Sequence, residues 1–578
     1  METFYTIQKN TQMLIALMKA HNVRKVIVSP GATNVCLVAS LQYDGWFEMY
    51  SSVDERSAAY MACGLAAECG EPVALSCTGA TASRNYMPGL TEAFYRKLPI
   101  LAITSTQHIG RIGQNFPQVI DRTVPLNDIV RISVQIPQIQ SEEDEWAFNV
   151  KINTALMELT RNGGGPVHIN LETNYSRDFT VQKLPHVRVI KRICQNDKLP
   201  GLSGKKIAIY VGNHQPWQQE LTAIVDIFCE KYNAVVLCDH TSNYIGKYRV
   251  FPMVLVNQER YNCEYKYIDI LIDIGNVSGA YMSLVPDYVW RVNPDGEVRD
   301  SFKKLQYVFE MDELIFFTKY VEMASGEKGT DYYKGFKYEY DKIIQRIPEL
   351  PFSNMWIAWQ SHKMLPEKCI MHLGILNSLR SWNCFETSRS IMGYSNTGGF
   401  GIDGGVSSLV GASLNNPGKL YFGFVGDLAF FYDINSLGNR HIGKNMRIMV
   451  INNGKGTEFK NYNHPAAIFG ENADYYIAAE GHYGKKSKTL IKNYAENLGF
   501  IYLSASSKTG YLEKADIFFS PSYFDKPVLF EVFTDSRDES DAIKIMNNLV
   551  TSTKGFAKNI AHNILDDKCI EKIKKFIK

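Results

Sequence analysis

The chain has 578 residues, of which 45% are apolar and 21% charged, and its 62 lysines and arginines against 60 acids leave a formal net charge of +2. That length exceeds what one hydrophobic core serves, so two to four domains are expected, and the near-neutral balance excludes a strong footprint for nucleic acid or an anionic membrane. Eleven singly placed cysteines without CxxC spacing, no apolar run of about 18 residues and no secretory-type leader predict a cytoplasmic protein with reduced thiols.

In chain order, short β-rich runs alternate with helical patterns, which predicts an α/β fold of parallel sheets flanked by helices. In the first segment, 25–29 (KVIVS), 73–77 (VALSC), 100–105 (ILAITS) and 163–171 (GGGPVHINL) read as strands, with a helical pattern over 57–68. The basic, irregular stretch 185–200 reads as a linker. A second α/β unit runs through 206–211, 234–238, 268–274 and 289–292. A third begins after about residue 351, with strands at 421–425, 447–451 and 528–533. Residues 551–578 are Lys-rich, with apolar positions at helical spacing, and are expected to form a surface helix.

Two polar turns in the third unit carry chemistry. An apolar strand runs into Gly426-Asp427-Leu428, a helical segment follows, and a second strand runs into Asn452-Asn453-Gly454. Asp427 and Asn453 lie 26 residues apart (427 to 453), one strand–helix–strand crossover. Such a unit sets both turns at the carboxyl ends of neighbouring parallel strands, where α/β sheets bind ligands. A carboxylate, an amide oxygen and a backbone carbonyl are the hard oxygen donors that Mg²⁺ requires, and a glycine before a helix start lets a phosphate approach. Gly399–Gly404 also fits GxGxxG, but no strand feeds it and a loop is expected.

With these motifs the chain resembles the thiamine diphosphate enzymes, whose signature is Gly-Asp, an interval of this size, then Asn-Asn. Leu428, where most of the family has glycine, is similar to the branch of 2-succinyl-5-enolpyruvyl-6-hydroxy-3-cyclohexene-1-carboxylate synthases of the menaquinone pathway. The resemblance implies thiamine diphosphate and Mg²⁺ as cofactors, with metal ligands Asp427, Asn453 and the Lys455 carbonyl. Gly426, Leu428 and Gly454 would contact the diphosphate. It implies a pyrimidine-binding domain over 1–185, a central domain over 186–350, a diphosphate-binding domain over 351–550 and a tail over 551–578. It also implies a homodimer or homotetramer with active sites at subunit interfaces.

Thiamine chemistry needs a carboxyl that hydrogen-bonds the cofactor's aminopyrimidine ring and shifts its tautomer. Asp54-Glu55-Arg56-Ser57-Ala58-Ala59 followed by Gly64-Leu65-Ala66 resembles the family's activating segment, which gives that role to Glu55. Read without the resemblance, Asp54 and Glu55 are a helix cap and a dipole-favoured first-turn acid. By the same resemblance Gln118 lies near the reacting centre, Ile402 wedges the cofactor into its bent form, and Ser378 and Asn396 sit in cofactor-binding segments.

The branch binds dicarboxylates through Arg and Lys residues, and this chain departs at each matching position. Thr33, Trp382, Thr397 and Gln107 stand where arginines are expected, and Ala280-Tyr281 stands opposite a Lys-Arg pair. Several charged hydrogen bonds, about 1.5–3 kcal/mol each, would be forfeited. The expectation is retained cofactor chemistry on a changed small-molecule substrate. The leading reading is a 2-oxoacid decarboxylase passing an acyl-anion equivalent to an acceptor. Simple decarboxylation, the branch's own reaction and a non-catalytic cofactor-binding relative are alternatives. Arg84, His108 and Arg111 are candidates for binding a different polar substrate, with His108 a candidate proton carrier.

Overall fold

The computed structural model describes residues 4–202, 204, 206–326 and 329–550, and the helix expected over 551–578 lies outside them. The described residues divide into two compact units, one formed by residues up to 197 with 296–310 and the other by 198–295 with 311–550.

The first unit is built on six parallel strands: β1 (Lys25–Val28), β2 (Glu48–Ser51), β3 (Val73–Cys77), β4 (Ile100–Thr106), β5 (Ser133–Ile136) and β6 (Val167–Glu172). Their order is β2-β1-β3-β4-β6-β5. β3 and β4 are buried along their whole length, as expected of central strands covered on both faces. Leu101 and Ile103 point into one core with Leu14 and Ile152, while Ile100 and Ala102 point into the other with Ala58 and Ala62. On that second face, helices Glu55–Cys69 and Met87–Tyr95 touch at Gly89, where an added Cβ would sit 2.4 Å from that of Ala59. Gly89→Leu should therefore cost about 1–3 kcal/mol or more in a denaturant titration.

The stretch 185–200, expected as a linker, contains a strand, β7 (Lys191–Cys194), so that expectation is corrected. β7 pairs in parallel with a much later strand of the same unit, β13 (Leu305–Glu310). Two arginines and two glutamates bind them: Arg161 and Arg192 share Glu158 and Glu310 at 3.0–3.1 Å. No local pattern announces a strand whose partner lies over a hundred positions away.

His168, on β6, is buried and held between Thr104 Oγ1 at 2.7 Å and Ser133 Oγ at 2.8 Å. Burial pushes its pKa from 6.5 down to about 3. The unfolded chain therefore takes up a proton that the folded one refuses, and stability falls as pH drops from 6.5 towards about 3. His168→Gln should flatten that acid limb in melts run across this range; an unchanged limb would refute the assignment.

The second unit holds two sheets. One has β8 (Ile207–Val211), β9 (Ala234–Leu237), β10 (Arg249–Val250), β11 (Tyr267–Ile274) and β12 (Val285–Val292), in the order β10-β9-β8-β11-β12. The other has β14 (Ile370–Leu373), β15 (Met392–Tyr394), β16 (Tyr421–Gly426), β17 (Met446–Asn452), β18 (Ile501–Ala505) and β19 (Val528–Phe533), in the order β15-β14-β16-β17-β19-β18. Counted from its own first strand, this last sheet repeats the first sheet's order, 2-1-3-4-6-5. In both, neighbouring strands send the chain off in opposite directions at one point, and a crevice opens there. The crevices lie between β1 and β3 and between β14 and β16.

Among the described residues no helix is long and apolar enough to cross a membrane. The ten described cysteines are free thiols.

Candidate functional site

In the second unit, β16 ends at Gly426 and Asp427 opens the short helix Asp427–Tyr432. β17, which pairs with β16 in parallel register, ends at Asn452 and delivers Asn453 and Gly454 alongside. Asp427 is 4% exposed, and its Oδ2 accepts a 3.0 Å hydrogen bond from the Gly454 N–H. Gly454 has φ +73°, a conformation that suits glycine, and this aims its N–H back at the carboxylate. Burial pushes the Asp427 carboxyl up to about 7, against the lowering effect of the Gly454 and Leu428 amides. A carboxylate this poorly solvated calls for a cation.

The neighbouring Asn453 Oδ1 is buried without a hydrogen-bond partner. An orphaned acceptor beside an under-compensated carboxylate is a donor set for a hard cation, so the residues fit Mg²⁺. A Cβ at Gly426 would meet nothing within 4 Å, which leaves room for a phosphate beside that backbone. Lys455 is fixed by ion pairs with Asp474 at 2.9 Å and Glu480 at 3.3 Å, and its carbonyl receives only the Thr457 hydroxyl at 3.5 Å.

Around the crevice between β14 and β16, Asn396 and Ile402 line one narrow cavity together with Gly374 and Val425. Asn396 Oδ1 accepts from Ser408 Oγ at 3.1 Å. Just beyond β14, Leu376 has φ +66° before the helix Asn377–Trp382. A β-carbon-bearing residue in that region is strained, and such strain concentrates at functional sites. Ser378 is buried, its Oγ 3.5 Å from Asn354 Oδ1. Trp382 is buried to 1% with its ring 4.3 Å from that of Phe424, so its indole belongs to the core. Thr397 is also buried, its Oγ1 accepting from Asn213 at 3.2 Å. The segment Gly399–Gly404 is a loop, as expected, but it begins five residues beyond Tyr394, the last residue of β15, and feeds helix Gly405–Ser413, so a strand does precede it.

In the first unit, Glu55 is the first residue of helix Glu55–Cys69, capped by the Asp54 side chain, which accepts from Ser57 N. Glu55 Oε2 accepts from Asn85 Nδ2 at 3.2 Å. At the crevice between β1 and β3, Thr33 Oγ1 meets Thr78 Oγ1 at 2.6 Å and donates to the Ser105 carbonyl at 3.2 Å. Gln118 sits above with φ +62°, its carbonyl 2.9 Å from where a Gly79 Cβ would stand. Gln107 Oε1 accepts from Arg111, and its amide reaches Tyr175 at 3.2 Å. His108 is exposed and accepts from Gly110 N through Nδ1. Arg84 donates to the Asp121 carbonyl at 2.9 Å.

Sequence reasoning missed Arg122. It is 5% exposed and donates to Asn170 Oδ1 at 2.8 Å and the Ser105 carbonyl at 3.3 Å, while its Nε and one terminal nitrogen have no partner. No carboxylate pairs with it among the described residues, and burial lowers its pKa to about 10. It therefore places an unneutralised cation directly under the Thr33–Gln118 crevice. The only signal in the sequence is an arginine four residues beyond Gln118, which does not distinguish burial from exposure.

Residues 8–124 match the family model described as thiamine pyrophosphate enzyme, N-terminal TPP binding domain. That span includes Thr33, Glu55, Gln107, Gln118 and Arg122. The chain is 32% identical over 566 residues to the 2-succinyl-5-enolpyruvyl-6-hydroxy-3-cyclohexene-1-carboxylate synthase of Bacteroides thetaiotaomicron, covering 93% of this chain and 98% of that protein. The synthase of Bacteroides fragilis is 31% identical over 561 residues, with 93% and 98% coverage. That of Desulfotalea psychrophila is 26% identical over 540 residues, with 89% and 96% coverage. Among solved structures, a Rhodococcus jostii thiamine diphosphate-dependent 4-hydroxybenzoylformate decarboxylase aligns over 91% of this chain and 99% of its own, at 17% identity and a TM-score of 0.38.

Proposed function

This chain belongs to the 2-succinyl-5-enolpyruvyl-6-hydroxy-3-cyclohexene-1-carboxylate synthase family of thiamine diphosphate-dependent enzymes, and on that premise we propose that it decarboxylates a 2-oxoacid and transfers the acyl-anion equivalent to an acceptor. It is an enzyme that works with thiamine diphosphate and a divalent metal such as Mg²⁺. When bound, the cofactor supplies an electron sink for the carbanion left as CO₂ departs. The single observation that carries the reading is the buried Asp427 carboxylate beside the partnerless Asn453 Oδ1.

In this reading Asp427, Asn453 and the Lys455 carbonyl hold Mg²⁺, and the Gly426, Leu428 and Gly454 backbone receives the diphosphate. Asn396 and Ile402 shape the crevice beside it, with Ser378 supporting the segment after β14. Glu55 would exchange a proton with the aminopyrimidine ring, Gln118 would lie near the reacting centre, and Thr33 would contact the substrate. The pyrimidine-binding role falls to residues 1–185, the central domain to 186–350 and the diphosphate-binding role to 351–550. We place the active sites at interfaces of a cytoplasmic homodimer or homotetramer.

We propose a substrate other than the one that leads to the product in the relatives' name, because Thr33, Gln107, Trp382 and Thr397 bring no charge to their positions. The relatives' own reaction is the second reading, favoured by 32% identity over an alignment that covers 93% of the chain. Calorimetry with thiamine diphosphate should show uptake only when Mg²⁺ is present. CO₂ release from a panel of 2-oxoacids, with and without aldehydes, then separates carboligation from simple decarboxylation. Formation of 2-succinyl-5-enolpyruvyl-6-hydroxy-3-cyclohexene-1-carboxylate, the product in the relatives' name, would favour the second reading. Absence of metal-dependent cofactor uptake would remove both.

A further inference from the structure

On the far side of the Asn453–Gly454 turn, the carboxyl ends of β17, β18 and β19 enclose a second cavity, of about 850 Å³. Asn453 and Gly454 form the wall it shares with the metal-loop site. Lys485, Lys488, Lys492 and Lys514 converge on it, and Glu496 is the single carboxylate in its lining. Lys485 is tied to Glu480 at 3.4 Å and packs its stem on Gly454, where an added Cβ would stand 3.0 Å from Cδ. Among the described residues, Lys488, Lys492 and Lys514 have no ion-pair partner.

The chain as a whole is almost neutral, so this is a local surplus of positive charge and not a reflection of overall composition. Like charges around one concavity repel within the Debye length, about 8 Å at physiological salt, unless an anion enters. Ser504 and Ser506 add hydroxyl donors from the end of β18, and the rings of Tyr502 and Phe533 give the floor an apolar part. The Tyr502 ring is anchored by its hydroxyl, which donates to Glu531 at 2.7 Å. The volume is many times that of a phosphate ion, and cations, hydroxyls and flat rings together suit a phosphate carried on an organic body.

We propose that this cavity binds a phosphorylated organic ligand, its phosphates held by Lys488, Lys492 and Lys514 and its body laid against Tyr502 and Phe533. The inference goes beyond the proposed reaction and touches it only through the shared 453–454 turn. Its test uses protein saturated with thiamine diphosphate and Mg²⁺, titrated by calorimetry at low ionic strength with ADP and, separately, with inorganic phosphate. ADP should bind once per chain, more tightly than phosphate, and weaken as salt is added. The triple variant Lys488→Gln, Lys492→Gln, Lys514→Gln should bind ADP about tenfold or more weakly with unchanged cofactor affinity. The proposal is overturned if neither probe binds, if phosphate binds as well as ADP, or if ADP displaces the cofactor. It is equally overturned if the triple variant loses cofactor affinity, since the lysines would then belong to the cofactor's own site. Should the protein take up no thiamine diphosphate, that failure belongs to the proposed function, and ADP titration of the unloaded protein still interrogates the lysine cavity.

Discussion

Glu55→Gln should take away turnover, lowering kcat by about 10²- to 10⁴-fold, while cofactor uptake stays within a few-fold of the parent. The two side chains have the same shape, and the amide can still meet Asn85, whose Nδ2 lies 3.2 Å from Glu55 Oε2. Packing of helix Glu55–Cys69 is left untouched, because its cap is Asp54 and its buried face starts at Ala58. What disappears is a group able to exchange a proton with the aminopyrimidine ring. The diagnostic measurement is hydrogen–deuterium exchange at the cofactor's thiazolium carbon, which should slow in step with kcat. Exchange at the parental rate would show that Glu55 is only a first-turn acid favoured by the helix dipole. Asp54→Ala is the control: it removes the Ser57 contact and should lower the melting temperature slightly with little effect on kcat.

The second large effect is expected at the metal loop. Asp427→Asn should weaken Mg²⁺-dependent thiamine diphosphate uptake by about 100-fold or more, since the variant loses the one anionic ligand in the donor set. The metal-free variant should nonetheless be at least as stable as the parent, because a carboxyl whose charged form is disfavoured by burial at 4% exposure is replaced by a neutral amide. The amide oxygen can keep the 3.0 Å bond from the Gly454 N–H. Parent and variant should therefore cross over in thermal melts, with the variant equal or higher without ligand and lower with it. A variant less stable in both states would make Asp427 a structural residue and remove the metal reading. Asn453→Ala serves as the companion: it deletes an acceptor that has no partner among the described residues, so its effect should appear only in the presence of metal.

What could be read from residue order was whatever depends on near neighbours. The strands at 73–77, 421–425 and 447–451 announce themselves by predominantly apolar runs, because both faces of a central parallel strand are covered. The polar turns at Gly426-Asp427 and Asn453 follow those runs directly, which is why the candidate metal ligands were legible. β7 was not, since it owes its existence to β13 and to two arginine–glutamate pairs contributed by distant segments. β14 and β15 are four and three residues long, too short for a periodic signal. Trp382 was named as a substrate position on alignment with a charged residue, but only the fold reveals that its indole rests on Phe424. Arg122 and the four lysines around the second cavity were hidden for a related reason. Burial of one cation and convergence of four others are properties of packing, with no trace in spacing.

The common strand order of the first and third sheets has a consequence for how unlike rims can arise from one plan. One wiring diagram produces the same notch twice, and the residues at its rim are free to diverge because they carry no weight in the sheet beneath. In one copy the rim bears hydroxyls, an amide and a hidden guanidinium; in the other it bears hard oxygens and bare backbone. A single folding recipe thus yields two unlike grips, and chemistry can be retuned at either notch without rewriting the scaffold that makes it.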